Sequence, residues 1–356
     1  MMSVSIAMAT YNGARYLDEQ LQSLARQTVL PAELVVTDDI SSDETVAILT
    51  KFAETAPFPV RIYRNRERLG YRANFMKAAQ SCSSEAIAFC DQDDVWMEDK
   101  LEHCLSTLSG SGALLVCHNA IVTDSALQEI DTLAKDALPA IYNPPLSVGP
   151  MKYGLGFTLV FDRALMAFSP FWEKSIDFND GASKEGHDQW FFFLSGVFGS
   201  ILYVDRPLAR YRRHTAAATN TVWVGTSLMT RTLPFLFDNQ YLWRNYATGF
   251  ERRADILLEI AESFAPHYAE AATAAAAKYR AFARLYEDRV ALYGSPALLK
   301  RLAVFSRIWR SHGYRNADIW AKGRKSALKD MLVGVFRLAH LLRYVPAAER
   351  IRLRGH

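Results

Sequence analysis

The chain has 356 residues, half of them apolar and 22% charged, which excludes a disordered, collagen-like or low-complexity protein and allows one large domain with an appendage, or two domains. Its formal charge of +3 hides an asymmetry: residues 278–356 carry 18 Lys and Arg against 5 Asp and Glu, whereas residues 1–277 carry 23 against 33. An acidic body bears a basic tail.

Val4 to Ala9, Leu34 to Thr37, Val60 to Tyr63, Ala86 to Cys90 and Leu114 to His118 read as strands. Tyr16 to Gln27, Glu44 to Phe52, Arg72 to Ala79 and Glu98 to Leu108 read as the helices between them. This alternation predicts an α/β architecture with a mainly parallel sheet covered by helices on both faces, and ligands outside the carboxyl ends of its strands. From Ser125 to Pro150 the pattern dissolves into loop. It resumes with a strand over Leu155 to Phe161, a helix over Asp188 to Leu194 and a strand over Ile201 to Val204, which complete the same sheet. After Thr221 the chain reads as almost wholly helical, giving a domain over 1–221 and a basic helical region over 222–356.

The four cysteines, Cys82, Cys90, Cys104 and Cys117, show no CxxC pairing and suggest reduced core thiols rather than a zinc site or disulfide framework. No basic n-region or cleavage site precedes the first apolar segment, so no secretory signal is expected and the compartment expected is the cytoplasm. Trp190 to Val204 is free of charge but too short to span a bilayer.

The strand ends carry the chemistry. After the first comes Ala9-Thr10-Tyr11-Asn12-Gly13, after the second Asp38-Asp39-Ile40-Ser41-Ser42-Asp43, and after the fourth Asp91-Gln92-Asp93-Asp94. So many carboxylates on one rim require a cation or many donors. Asp43 and Asp94 are also good helix caps, but one cap cannot account for Asp91, Asp93 and Asp94 together. Hard oxygen ligands near a phosphate suit Mg²⁺ or Mn²⁺.

The ordered segments Ala-Thr-Tyr-Asn, Asp-Asp-x-Ser-x-Asp-x-Thr over 38–45 and Asp-Gln-Asp-Asp-x-Trp over 91–96 resemble the inverting glycosyltransferases of family 2, most of all the bacterial rhamnosyltransferase-like members. The likeness covers roughly residues 3 to 220. It implies a GT-A fold, a dTDP- or UDP-sugar donor, a divalent cation (Mn²⁺ or Mg²⁺) and a glycan or lipid-linked acceptor. Carried across by position, it assigns Thr10, Tyr11, Asn12, Asp39, Arg72 and Asp91 to the nucleotide and Asp93 and His214 to the metal. Asp188 becomes the catalytic base, and Asp94, Gly156, Trp190 and Arg212 fall beside the donor or acceptor sugar. Asn65, Gly70 and Asn74 match a weaker family pattern in the third crossover.

The residues support part of this independently. An inverting transfer needs a carboxylate to take the acceptor proton, and Asp188 precedes an apolar helix, where it could equally be a cap. Glu185 and His187 remain alternatives; the family commonly has Glu where His187 stands. Arg212 and Arg213 offer charge for phosphate, or a solvated surface. Trp190 and Trp172 could stack a sugar or sit in the core. The Gln-x-x-Arg-Trp motif of processive synthases is absent, so a single transfer per encounter is expected.

In the tail, Leu328, Met331, Leu332, Val335, Leu338, Ala339, Leu342 and Val345 form one helical stripe with Lys329, Arg337, His340 and Arg343 largely off it. Leu298 to Arg310 repeats the pattern. Such helices pack as a bundle or lie on an anionic membrane, placing the protein peripherally on the inner face of the cell membrane. No nucleic-acid motif accompanies the charge. Two other functions fit less of the sequence: a catalytically silent nucleotide-sugar-binding scaffold, and a nucleotidyltransferase, which would begin with a Gly-rich basic loop.

Overall fold

The computed structural model describes residues 2–133, 138–214, 240–315 and 321–338. They fall into two compact units, one within Met1–Ser175, Ser183–Val222 and Asp255–Ala276, the other within Ile176–Ala182, Trp223–Ala254 and Ala277–His356.

The first unit is built on a ten-stranded sheet. Its elements in chain order are β1 (Val4–Thr10), α1 (Ala14–Ala25), β2 (Glu33–Asp38), α2 (Thr45–Thr55), β3 (Val60–Arg64), α3 (Tyr71–Gln80), β4 (Ala86–Cys90), β5 (Val95–Trp96) and α4 (Lys100–Leu108). Then follow β6 (Leu115–Thr123), β7 (Glu129–Thr132), β8 (Tyr142–Asn143), β9 (Leu159–Asp162), α5 (Ser169–Trp172), α6 (His187–Phe198) and β10 (Ile201–Arg212). The strand order is β3-β2-β1-β4-β9-β6-β10-β5, with β7 paired to β6 and β8 to β10. β3, β2, β1 and β4 run parallel, whereas β9 runs antiparallel to both of its neighbours.

The apolar runs explain the sheet. β1, β2 and β4 are buried along their whole length, as strands covered on both faces must be. In α1, Leu17, Leu21 and Leu24 are buried at the i, i+4, i+7 spacing that a core-facing helix requires. All four cysteines are free and buried.

Three segments differ from expectation. The expected loop over Ser125 to Pro150 contains β7 and β8, both too short to give a periodic signal. The expected strand over Leu155 to Phe161 begins with a 3₁₀ turn, Gly156–Thr158, and pairs only from Leu159. The last strand runs on to Arg212 because irregular pairing around Pro207 accommodates a residue that cannot donate to the ladder.

Glu33 illustrates how polar groups are held under the sheet. Burial favours its neutral form, but Ser5, Ser83 and Arg61 donate to the carboxylate and outweigh burial, leaving its pKa below the ordinary value. A depressed carboxyl stabilises the fold above its unfolded pKa and loses that contribution as pH falls through the folded value. Glu33→Gln should therefore flatten the fall in urea midpoint between about pH 5 and pH 3.

The second unit is helical. Its described parts come from Gln240–Ser263, Pro266–Gly294, Leu298–Arg310 and Gly323–Lys329, the last continued by a π-helical turn, Asp330–Val335. Phe178, Phe250, Phe282 and Tyr286 form an aromatic core. The buried Asp330 accepts from Arg289, Tyr293 and Tyr314. The expected stripe is cut at this turn: Val335 is buried while Leu328, Met331, Leu332 and Leu338 are exposed. Ala339, Leu342 and Val345 lie outside the described residues. Among the described residues, no helix is long and apolar enough to cross a membrane.

Candidate active site

The carboxyl ends of β1, β2 and β4 meet on one rim of the first unit. Asn12 has a positive φ of 46°, a conformation Asn tolerates better than most residues. Its Oδ1 accepts the Ser42 amide (2.8 Å), and its own amide donates to Ser41 Oγ (2.9 Å). Gln92 clamps Tyr11 from the facing loop, accepting its amide and donating to its carbonyl. The Tyr11 ring is partly exposed and lies 3.8 Å from the Arg68 guanidinium carbon.

The paired aspartates after β2 divide their work. Asp38 is buried and accepts from Thr10 Oγ1 (3.0 Å) and the Ser41 amide (2.9 Å), which fixes the turn. Asp39 accepts from Asn65 Nδ2 (2.9 Å) and the amides of Leu69 (2.7 Å) and Gly70 (2.8 Å), leaving acceptor capacity on Oδ2. Asn65 also donates to Asn74, whose Nδ2 reaches Thr37 O, so the third crossover is hydrogen-bonded to the end of β2. Asp43 likewise binds the amides of Ala14 and Thr45.

The acidic segment after β4 holds the strongest electrostatics. Asp91 has its carboxyl pushed up to about 8, by burial first and then by repulsion from Asp93 and Asp188, with Lys100 opposing. Asp93 Oδ2 lies 2.8 Å from His214 Nε2. The Tyr16 ring meets His214 at a tilt, with centroids 4.7 Å apart, and lies under the Arg212 guanidinium carbon at 4.5 Å. Asp93 thus contacts His214, and Asp93 and Asp188 both come within electrostatic reach of Asp91.

Asp188 sits in the first turn of α6 but is not its cap; Gly186 occupies that position. A Cβ on Gly186 would stand 2.5 Å from Asp188 Oδ1, so glycine is what lets the carboxylate lie over the helix entrance. His187 stacks on Phe75 at 4.0 Å and meets Phe89 edge-on. Burial, reinforced by the Arg72 charge, pushes its pKa down to about 3, which removes it as a base. Glu185 is buried, its backbone tied to Ser175 and Trp172.

Four expected contacts are corrected by burial. Trp190 is 0% exposed and packs on Phe193, so its ring belongs to the core and cannot stack a sugar. The Thr10 hydroxyl is buried and spent on Asp38. Asp94 is fully buried beneath the Arg212 amide (2.9 Å), and burial raises its carboxyl well above the usual range. Arg212 is buried, its guanidinium taken by Glu19, Ser125 O and Asp93 O, and is therefore not available to phosphate. Arg72 donates from Nη1 to Lys184 O and lies toward the α6 entrance.

Gly156 approaches α6 closely. A Cβ there would meet His187 Nε2 at 2.6 Å, and Phe75 and Phe89 hold the imidazole in place. Gly156→Ala should destabilise the fold by about 1–3 kcal/mol in urea unfolding, the usual cost of overpacking. A change below about 0.5 kcal/mol would show that the turn yields.

Lys100 went unnoticed in the sequence. It is fully buried, donates to Phe157 O (2.6 Å) and lies 3.3 Å from the centre of the Trp96 ring. Its signal was legible: a lysine four residues before Cys104 and eight before Leu108, on the apolar stripe of α4. Tyr16, Gln92 and Arg68 carried no comparable signal.

Residues 5–153 match the family model described as glycosyl transferase family 2. A dTDP-rhamnosyl transferase, RfbG of Shigella flexneri, is 31% identical over 216 residues, 58% of this chain and 71% of that protein. An uncharacterized glycosyltransferase of Nostoc sp. is 32% identical over 218 residues, covering 60% of this chain and 66% of its own length. Among solved structures, Staphylococcus aureus TarS 1-349 in complex with UDP-GlcNAc is similar with a TM-score of 0.51 at 16% identity, over 88% of this chain and 93% of that one. The fold is that of the GT-A enzymes and the class is glycosyltransferase. The chain belongs to glycosyl transferase family 2.

Proposed function

We propose that the chain, through a catalytic domain over residues 1–221, is a divalent-cation-dependent, inverting and non-processive hexosyltransferase. It would move a sugar, rhamnose among the candidates, from a dTDP- or UDP-sugar to a hydroxyl of a cell-surface glycan or lipid-linked acceptor. The relatives support the class of reaction, and RfbG supports rhamnose and dTDP. The observation that carries the reading is the facing pair Asp93 and His214, with Asp93 and Asp188 both in electrostatic reach of Asp91.

Asp93 and His214 fit a cation. One hard carboxylate and one imidazole, 2.8 Å apart, suit Mn²⁺ or Mg²⁺, with preference for the metal more tolerant of nitrogen. Among the described residues, no group of three His, Cys, Asp or Glu side chains could hold a metal, so phosphate and water would supply the other ligands. The bound cation would supply positive charge to the departing diphosphate.

The protein's own groups do the rest. Tyr11 offers a ring face to the base beside Arg68, and Asp39 presents its remaining acceptor to a pyrimidine N–H. Asp91, in electrostatic reach of Asp93 and Asp188, would serve the nucleotide. Asp188 takes the proton of the acceptor hydroxyl as that oxygen bonds to the anomeric carbon and the carbon–phosphate oxygen bond breaks. No enzyme nucleophile intervenes, so the anomeric configuration inverts.

Incubating the protein with a panel of dTDP- and UDP-sugars and Mn²⁺ tests the reading. Metal-dependent consumption of one donor, with inverted product by NMR, is the expected result. Consumption of none, or a retained configuration, would refute it.

A further inference from the structure

Residues 298–338 carry ten Lys and Arg against two Asp and Glu. Among the described ones the only acid is Asp330, buried and bonded to Arg289, Tyr293 and Tyr314. Asp288 of the preceding helix pairs with Arg307, and the described charges that this segment itself exposes are all positive.

It is also apolar where a solvated helix should be polar. Helix Leu298–Arg310 buries Arg301, Val304 and Ile308, and leaves Leu298, Leu302 and Trp309 on one exposed stripe with Leu299 beside it. Leu299 is 81% exposed and Trp309 58%. Arg301 Nε donates to Val335 O (2.9 Å) and Arg337 Nη2 to Ser295 O (2.8 Å). These bonds tie the end of the π-helical turn to the start of that helix, bringing Phe336, 54% exposed, to the same end as Leu298 and Leu299. In the neighbouring helix, Arg324 and Lys325 stand one turn before the exposed Leu328. Soluble surfaces expose such residues singly; a contiguous group rimmed by charge marks an interaction site.

We propose that this face docks on an anionic lipid bilayer, with Leu299, Trp309 and Phe336 at the boundary of headgroups and acyl chains and Arg310, Arg324 and Lys325 on the headgroups. Large apolar tips on a basic surface are the composition that lies in an interface. A second copy of this chain would set like charges against each other at the same face. Residues 339–356, with four Arg against one Glu, would also add to the charge rather than neutralise it. The inference rests on the exposed apolar tips and the charge of this face and not on the transfer chemistry.

Cosedimentation of the full chain with vesicles tests it. Binding to phosphatidylglycerol–phosphatidylcholine vesicles should exceed binding to phosphatidylcholine alone by about tenfold and weaken in about 1 M salt. The double variant Leu299→Glu, Trp309→Glu should bind at least about tenfold less, because both substitutions place charge where apolar area would be buried. Its circular dichroism and its binding of nucleoside diphosphate, read without vesicles, should match the parent. Three results would overturn the proposal: no parent binding; parent and variant bound equally, which assigns the charge to a soluble polyanion; or a parent dimer that the variant dissolves, which assigns the face to self-association. Intact sugar transfer alongside any of these would leave the enzymatic reading standing.

Discussion

Asp188→Asn is expected to lower sugar transfer by about 10²- to 10⁴-fold at saturating donor and acceptor, the range over which positioned general bases act. The amide fills the same space but cannot take a proton. Nucleoside diphosphate binding should stay within about twofold of the parent, because the role proposed for Asp188 lies on the acceptor side of the reaction. The neighbouring groups offer no substitute: His187 is held neutral between Phe75 and Phe89, and Glu185 is buried. Stopped-assay kinetics with and without acceptor separate the outcomes. An unchanged transfer rate would remove Asp188 as the base, whereas a parallel loss of nucleotide binding would make its role structural.

Asp93→Ala should have an effect of comparable size on a different quantity. Removing the carboxylate that faces His214 leaves one imidazole to hold a cation, and nucleoside diphosphate affinity in Mn²⁺ should fall at least about 100-fold, to its value in chelator. His214→Ala should give a smaller loss, about 10- to 100-fold, because the hard oxygen ligand remains. Isothermal titration with and without chelator reads both. Equal metal dependence in Asp93→Ala and parent would place the cation elsewhere. Asp93 is suited to the test because it is partly exposed, so its loss leaves no buried charge unpaired on the carboxylate side.

The parallel half of the sheet was legible because β1, β2 and β4 are short, largely apolar runs and the helices between them keep their apolar residues at helical spacing. What escaped depends on distant partners. β5 has two residues and exists because Val95 and Trp96 meet β10. β10 outruns its apolar start because Asp205, Arg206 and Pro207 read as an ending, and only the irregular pairing with β6 shows the strand continuing.

The site divides along the same line. Motif order located the rim and named most of its carboxylates. It could not tell which of several adjacent polar side chains turn inward. Thr10 and Asp94 stand next to exposed or half-buried neighbours in sequence, yet one closes on Asp38 and the other lies under Arg212. Lys100 shows the reverse case, a charge whose position on an apolar stripe foretold its burial.

The reversed β9 has a consequence for how the molecule acquires its shape. β1 to β4 can assemble from neighbouring stretches of chain, but β4 completes its outer edge only when Leu159–Asp162 arrives from beyond the loops that carry β7 and β8. Long closures of this kind are slow relative to local ones. A chain emerging from synthesis would therefore have the Asp39, Asp91 and Asp93 segments in place before Asp188 and His214, since α6 and β10 follow β9. The late closure from β4 to β9 would thus precede the joining of the two halves of the proposed site, the β1, β2 and β4 rim on one side and Asp188 with His214 on the other.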